Sequence, residues 1–153
     1  MNSAQFHDEI AVQIEAMMAT IDELTQLYQD VEGREPTVRE KTAASAFLAQ
    51  FYNGVENVLK RVSYQCNVPL PVGDTWHVDL FQQFTSPTFA DLPSLMDPGL
   101  AADLAPYRRF RHVVFHGYGV HLDWERMIHG VANATDVFAR FKRNVDDYLV
   151  SLG

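Results

Sequence analysis

Arginine, histidine and tyrosine converge in the run Arg111-His112-Val113-Val114-Phe115-His116-Gly117-Tyr118. Arg111 is a permanent cation whose planar fork can hold two phosphate oxygens. His116 carries an imidazole with a reference pKa of ~6.5, so it can take or give a proton near neutral pH. These are the groups that RNA cleavage without a metal requires. RNA brings its own nucleophile, the 2′-hydroxyl. The protein must move that proton, supply one to the leaving 5′-oxygen and stabilise the pentacoordinate phosphate. Arg111 and His116 are therefore the candidate catalytic pair. Arg108 and Arg109 precede them and His112 follows Arg111 directly, so these three are candidates for RNA binding. Tyr118, just beyond a glycine, is a phenol placed to reach solvent.

The elements that must carry this run read as helices. Ile10, Ile14, Met17, Ile21, Leu24, Tyr28 and Val31 recur in steps of four and three, one face of a long amphipathic helix. Gly33 is the expected stop. Pro36 and the Thr37-to-Glu40 capping pattern start a second helix, with Phe47, Phe51, Val55, Val58 and Val62 inward and an end before Pro69. The short turn between these helices predicts that they lie antiparallel. Gly73-Asp74-Thr75 predicts the start of a shorter third helix carrying Trp76, Leu80, Phe81 and Phe84. Prolines punctuate residues 85 to 98 as a loop. Asp97-Pro98 then opens a fourth helix, lined by Leu100, Leu104, Tyr107, Phe110 and Val114, that runs into the motif and stops near Gly117. Asp123 starts the last helix, with Trp124, Ile128, Val131, Phe138, Val145, Tyr148 and Leu152 inward. No useful β alternation occurs. The expectation is one all-α domain over residues 1–153, an up-down antiparallel bundle of four or five helices.

On an α-helix, five residues turn Arg111 and His116 about 140° apart, so the two do not share a face. One phosphate cannot be gripped by both unless the helix unwinds at its end. Two copies packed about a two-fold axis solve the problem, because each then contributes an Arg and a His to one cleft. A homodimer is therefore expected.

Composition narrows the setting. The 153 residues are 47% hydrophobic and 21% charged, which fits a folded core rather than disorder. No apolar run approaches the ~20 residues that span a bilayer, and the amino-terminal residues lack the features of a secretion signal. A lone cysteine, Cys66, cannot form an internal disulfide, and a cytoplasmic setting is expected. The net charge of −8 argues against a nonspecific nucleic-acid binder, but the charge is uneven. Residues 1–33 hold seven acids and no Lys or Arg, whereas residues 107–153 hold seven bases against five acids. Positive potential is concentrated at the motif.

The run resembles the Arg-x4-His-x-Tyr signature of HEPN-domain ribonucleases, specifically the HepT-like toxins of toxin–antitoxin pairs. The chain's size, its helical pattern, the polar residue after the Arg and a Trp76-His77 helix start behind Gly73-Asp74 fit that resemblance. It implies a HEPN-like fold and a dimer whose paired motifs form a metal-independent endoribonuclease centre with no cofactor. It implies that Arg111 and His116 are catalytic and that the substrate is RNA, tRNA or mRNA. It also implies a partner, a nucleotidyltransferase antitoxin of the MntA type, that transfers AMP to Tyr118 and silences the toxin.

Two other readings stand beside this one. His112, His116, His121 and His129 fall within eighteen residues, so a histidine-based metal site is conceivable, though no carboxylate joins them at ligand spacing before Asp123. A noncatalytic HEPN-like nucleotide-binding or docking module is the other, and the presence of both Arg111 and His116 counts against it. Trp76 and His77 either orient the cleft or pack a helix start.

Overall fold

A computed structural model describes residues 2–115 and 122–153. Among them are five helices: α1 (Ser3–Asp30), α2 (Val38–Gln65), α3 (Trp76–Gln83), α4 (Pro98–Phe115) and α5 (Trp124–Ser151). No strand is formed among the described residues; one isolated bridge joins Thr85 and Met96. The all-α expectation holds, and the helices fall in the order and places that the apolar spacing indicates.

The start of α2 shows how local sequence sets a boundary. Thr37 is extended and its Oγ1 accepts from the Glu40 amide at 3.1 Å, while the Thr37 amide donates to Glu40 Oε1 at 2.9 Å. Two orphan helix-end donors are thereby satisfied. Arg34 adds both guanidinium branches to the Glu40 carboxylate, at 2.8 and 2.7 Å. The turn before it needs a left-handed residue and has Gly33, at φ +78°. The expected cap of α3 forms differently. The Thr75 hydroxyl donates to the Asp79 carboxylate at 3.0 Å and leaves the backbone uncapped by a side chain.

α2 lies against α1, α3, α4 and α5, and so is buried on more than one face. Phe51, Val55, Val58 and Val62 are inside as expected, and so are Tyr52, Leu48 and Leu59; Phe47 is only partly covered. Each fully buried large side chain contributes roughly 1.5–3 kcal/mol of transfer free energy. Two residues assigned inward lie outward. Tyr28 is 39% and Leu152 42% exposed: the buried stripe of α1 passes from Leu24 through the partly covered Leu27 to Val31, and Leu152 is the residue that follows the end of α5. In α5 the inward face instead takes Met127, Val137 and Phe141.

α4 begins as the Asp97-Pro98 pattern indicates, with the Leu100 amide donating to Asp97 Oδ1 at 2.9 Å. It also contains Pro106, which lacks an amide hydrogen and removes one bond from the helix interior. Packing carries the helix through. Leu104 and Tyr107 are buried on either side of the proline, and Tyr107 Oη donates to the Gly130 carbonyl of α5 at 2.7 Å. The carboxyl-terminal half of α4, which bears the arginines, is thus held against both α2 and α5. The expected stop near Gly117 lies outside the described residues.

Candidate functional site

A cavity of about 410 Å³ opens between α2, α3 and α4. Its size falls within the ~300–1,000 Å³ range of small-ligand sites. From α4 it is lined by Arg108, Arg109, Arg111, His112 and Val113; α2 supplies Tyr52 and Glu56, and α3 supplies His77 and Val78. Four of the residues singled out by sequence therefore share one concave surface. The other two, His116 and Tyr118, lie outside the described residues.

Each cation is held differently. Arg111 is half-buried and donates through Nε to Oδ1 of Asn53 on α2. Arg108, also half-buried, lays its guanidinium over the Phe81 ring of α3, 4.9 Å from the centroid. A cation over an aromatic face is attracted by the ring quadrupole, and the stack restricts the side chain. Arg109 and His112 are exposed at the rim. Three guanidinium groups on one wall create a local positive field despite the negative net charge of the chain.

The opposite wall is polar in an unexpected way. Glu56 projects from α2 and is only 3% exposed, and Oε2 accepts from His77 Nδ1 at 2.6 Å. The His77 ring stacks on Trp76 with centroids 3.5 Å apart, and Lys60 Nζ lies 4.5 Å above the Trp76 ring. His77 does more than pack a helix start: it closes a chain from a surface lysine to a buried carboxylate. Tyr52 is fully buried beside them, and its hydroxyl has no hydrogen-bond partner among the described residues. Burial pushes its phenol well above the ordinary value; the neighbouring Glu56 adds to the rise, while Arg108 and Arg111 oppose it.

Glu56, Asn53 and Tyr52 were not singled out by the motif. One signal was available for Glu56: it lies four residues after Tyr52 and three before Leu59, an acid on an otherwise apolar stripe. Asn53 carries no comparable signal. As for metals, no group of three or more His, Cys, Asp or Glu side chains is gathered for an ion among the described residues.

An all-helical bundle carries an arginine-walled cleft along one helix. Its particular kind follows from comparison with known families: the family model described as HepT-like protein matches residues 43–152, which takes in most of α2 and everything through α5. The chain belongs to the HepT-like family of HEPN-type toxins. No curated protein matches the chain.

Proposed function

We propose that this chain is the toxin of a toxin–antitoxin pair and acts in the cytoplasm as a metal-independent endoribonuclease. The observation that carries the reading is the shared cavity wall of Arg108, Arg109, Arg111 and His112 in a chain of the HepT-like family. In this reading residues 1–153 form one HEPN-like unit, and two copies meet near the ends of their α4 helices. Arg111 neutralises the phosphate as negative charge develops, and His116 moves a proton. Arg108, Arg109 and His112 hold the flanking RNA backbone, whether of tRNA or mRNA. The partner is an MntA-type nucleotidyltransferase that adds AMP to Tyr118. The reading involves no membrane. No helix among the described residues is long and apolar enough to cross one.

The test is incubation of the purified chain with total RNA and with the corresponding DNA, in EDTA. RNA should be cut and DNA left intact, because the nucleophile is the substrate's own 2′-hydroxyl. The 5′ fragment should end in a 2′,3′-cyclic phosphate. A 3′-hydroxyl end, or activity lost on chelation, overturns the mechanism in favour of a metal-activated water. Inertness toward RNA favours the noncatalytic docking module.

A further inference from the structure

Cleavage by 2′-hydroxyl attack requires two proton transfers, one from the nucleophile and one to the leaving group. The Arg-x4-His motif supplies one imidazole per chain. The cavity is lined by two others, His112 at its rim and His77 on the facing wall, and the surroundings of His77 are unusual. A carboxylate that is 3% exposed is costly to bury unless a cation or strong donor compensates it. Glu56 has one hydrogen-bond partner for its carboxylate among the described residues, the Nδ1 of His77 at 2.6 Å. That bond fixes the tautomer and the ring orientation, as a carboxylate does behind a catalytic or metal-bound histidine. Stacking on Trp76 fixes the ring plane as well. Nε2, the other ring nitrogen, makes no hydrogen bond with a described residue, and the His77 side chain keeps 27% of its surface exposed on the cavity that Arg111 lines.

We propose that His77, locked through Nδ1 by the buried carboxylate of Glu56, is a second proton-transfer group of this centre and protonates the departing 5′-oxygen of RNA. The inference rests on the ribonuclease reading above. In the step, the 2′-oxygen bonds to phosphorus as its proton passes to a base. The bond between phosphorus and the 5′-oxygen breaks, and that oxygen takes the proton from His77 Nε2. The products are a 2′,3′-cyclic phosphate and a 5′-hydroxyl, and water reprotonates the ring. Glu56 is a positioning residue; His77 is the catalytic one.

The experiment compares two RNA oligonucleotides that differ only at the cleaved linkage, one natural and one with sulfur in place of the bridging 5′-oxygen. A thiolate leaves without a proton, so it makes the acid dispensable. His77→Asn keeps an amide donor near the position of Nδ1, so Glu56 stays satisfied, and removes Nε2. This variant should cut the natural linkage about 100-fold or more slowly, yet cut the sulfur linkage within about tenfold of the unsubstituted protein. Glu56→Gln should lower kcat on the natural linkage by about 10–100-fold with KM unchanged, and sulfur should again restore it. Equal losses on both linkages, or none on either, overturn the proposal. Arg111→Ala separates the two levels, since phosphate stabilisation is needed for both linkages. If it is inert while His77→Asn is normal, only the role of His77 falls. If Arg111→Ala still cuts, the ribonuclease reading beneath it falls too.

Discussion

Nε of Arg111 donates to Oδ1 of Asn53, a bond that ties the last turns of α4 to the middle of α2. The position of the proposed catalytic cation is thus set by a neutral amide on another helix. Asn53→Ala leaves the charge of Arg111 in place and removes one of its anchors. Cleavage should fall by about 10–100-fold, the range seen when an outer partner of a functional group is lost. Arg111→Ala should fall by about 100-fold or more, and Arg111→Lys should resemble it, because an ammonium lacks the planar fork. Single-turnover rates check the order. An Asn53→Ala variant at the unsubstituted rate would remove the anchor from the mechanism.

Arg109 and Arg108 should separate in a binding experiment. Arg109 is exposed at the rim of the cavity. Its replacement by Ala should weaken RNA binding uniformly across sequences and reduce the slope of log affinity against log salt by about 1. Arg108 also covers the Phe81 ring, so Arg108→Ala should give the same change in slope together with a lowered Tm. Fluorescence anisotropy over a salt series and a thermal melt distinguish them. An unchanged slope in Arg109→Ala would place the RNA path elsewhere.

The start of α2 makes a pH prediction. The Arg34 guanidinium, and then the Thr37 amide, hold the Glu40 carboxyl at about 2, below its ordinary 4.5. A depressed carboxyl stabilises the fold while it is ionised. That contribution is complete above about pH 4.5 and is lost as pH falls toward about 2. The pair lies at the surface, with Arg34 exposed and Glu40 half-buried, so the effect is modest and salt weakens it. Glu40→Gln should lower Tm at neutral pH and flatten the acid limb of the Tm profile across that window. Thr37→Ala removes the other half of the capping box and should cost about 1 kcal/mol. An acid limb as steep in Glu40→Gln as in the unsubstituted chain would show that other carboxylates set it.

The helices were legible because their cues are local. Thr37 with Glu40, Asp97 with Pro98, and the four-and-three spacing from Ile10 to Leu24 each act within a few residues. Arg108, Arg109, Arg111 and His112 gather on one wall because a single helical segment carries them. The facing wall was legible only in part. His77 stood out as a residue that either orients the cleft or packs a helix start, and Glu56 as an acid on an apolar stripe, while Asn53 gave no signal; only tertiary packing brings them to α4, and a polar residue on a helix gives no sign of which partner it will meet. Pro106 shows the reverse. Local chemistry argues for a break there, and the burial of Leu104 and Tyr107 overrides it. Tyr28 lies outward because steps of three and of four both fit an apolar face, and α1 places Leu27 and Val31 there instead; Leu152 lies just past the last residue of α5.

Tyr118 is the proposed control point, two residues beyond His116 and outside the described residues. Its phenol is the acceptor in the reading that the family resemblance implies. Transfer of AMP from ATP forms a bond from the tyrosyl oxygen to the α-phosphorus and releases pyrophosphate. The product carries a phosphodiester anion and an adenosine close in sequence to Arg111. The anion offsets part of the field of Arg108, Arg109 and Arg111, and the bulk excludes the RNA backbone. Tyr118→Phe removes the acceptor oxygen and leaves the Arg–His pair intact. It should therefore cut RNA at near the unsubstituted rate and escape silencing by a nucleotidyltransferase partner. Intact-mass spectrometry after incubation with partner and ATP checks this: the unsubstituted chain should gain one or more AMP masses and Tyr118→Phe none. Modification that persists in Tyr118→Phe would move the acceptor to another residue, and an unmodified chain that is nonetheless silenced would mean that the bound partner simply covers the cleft.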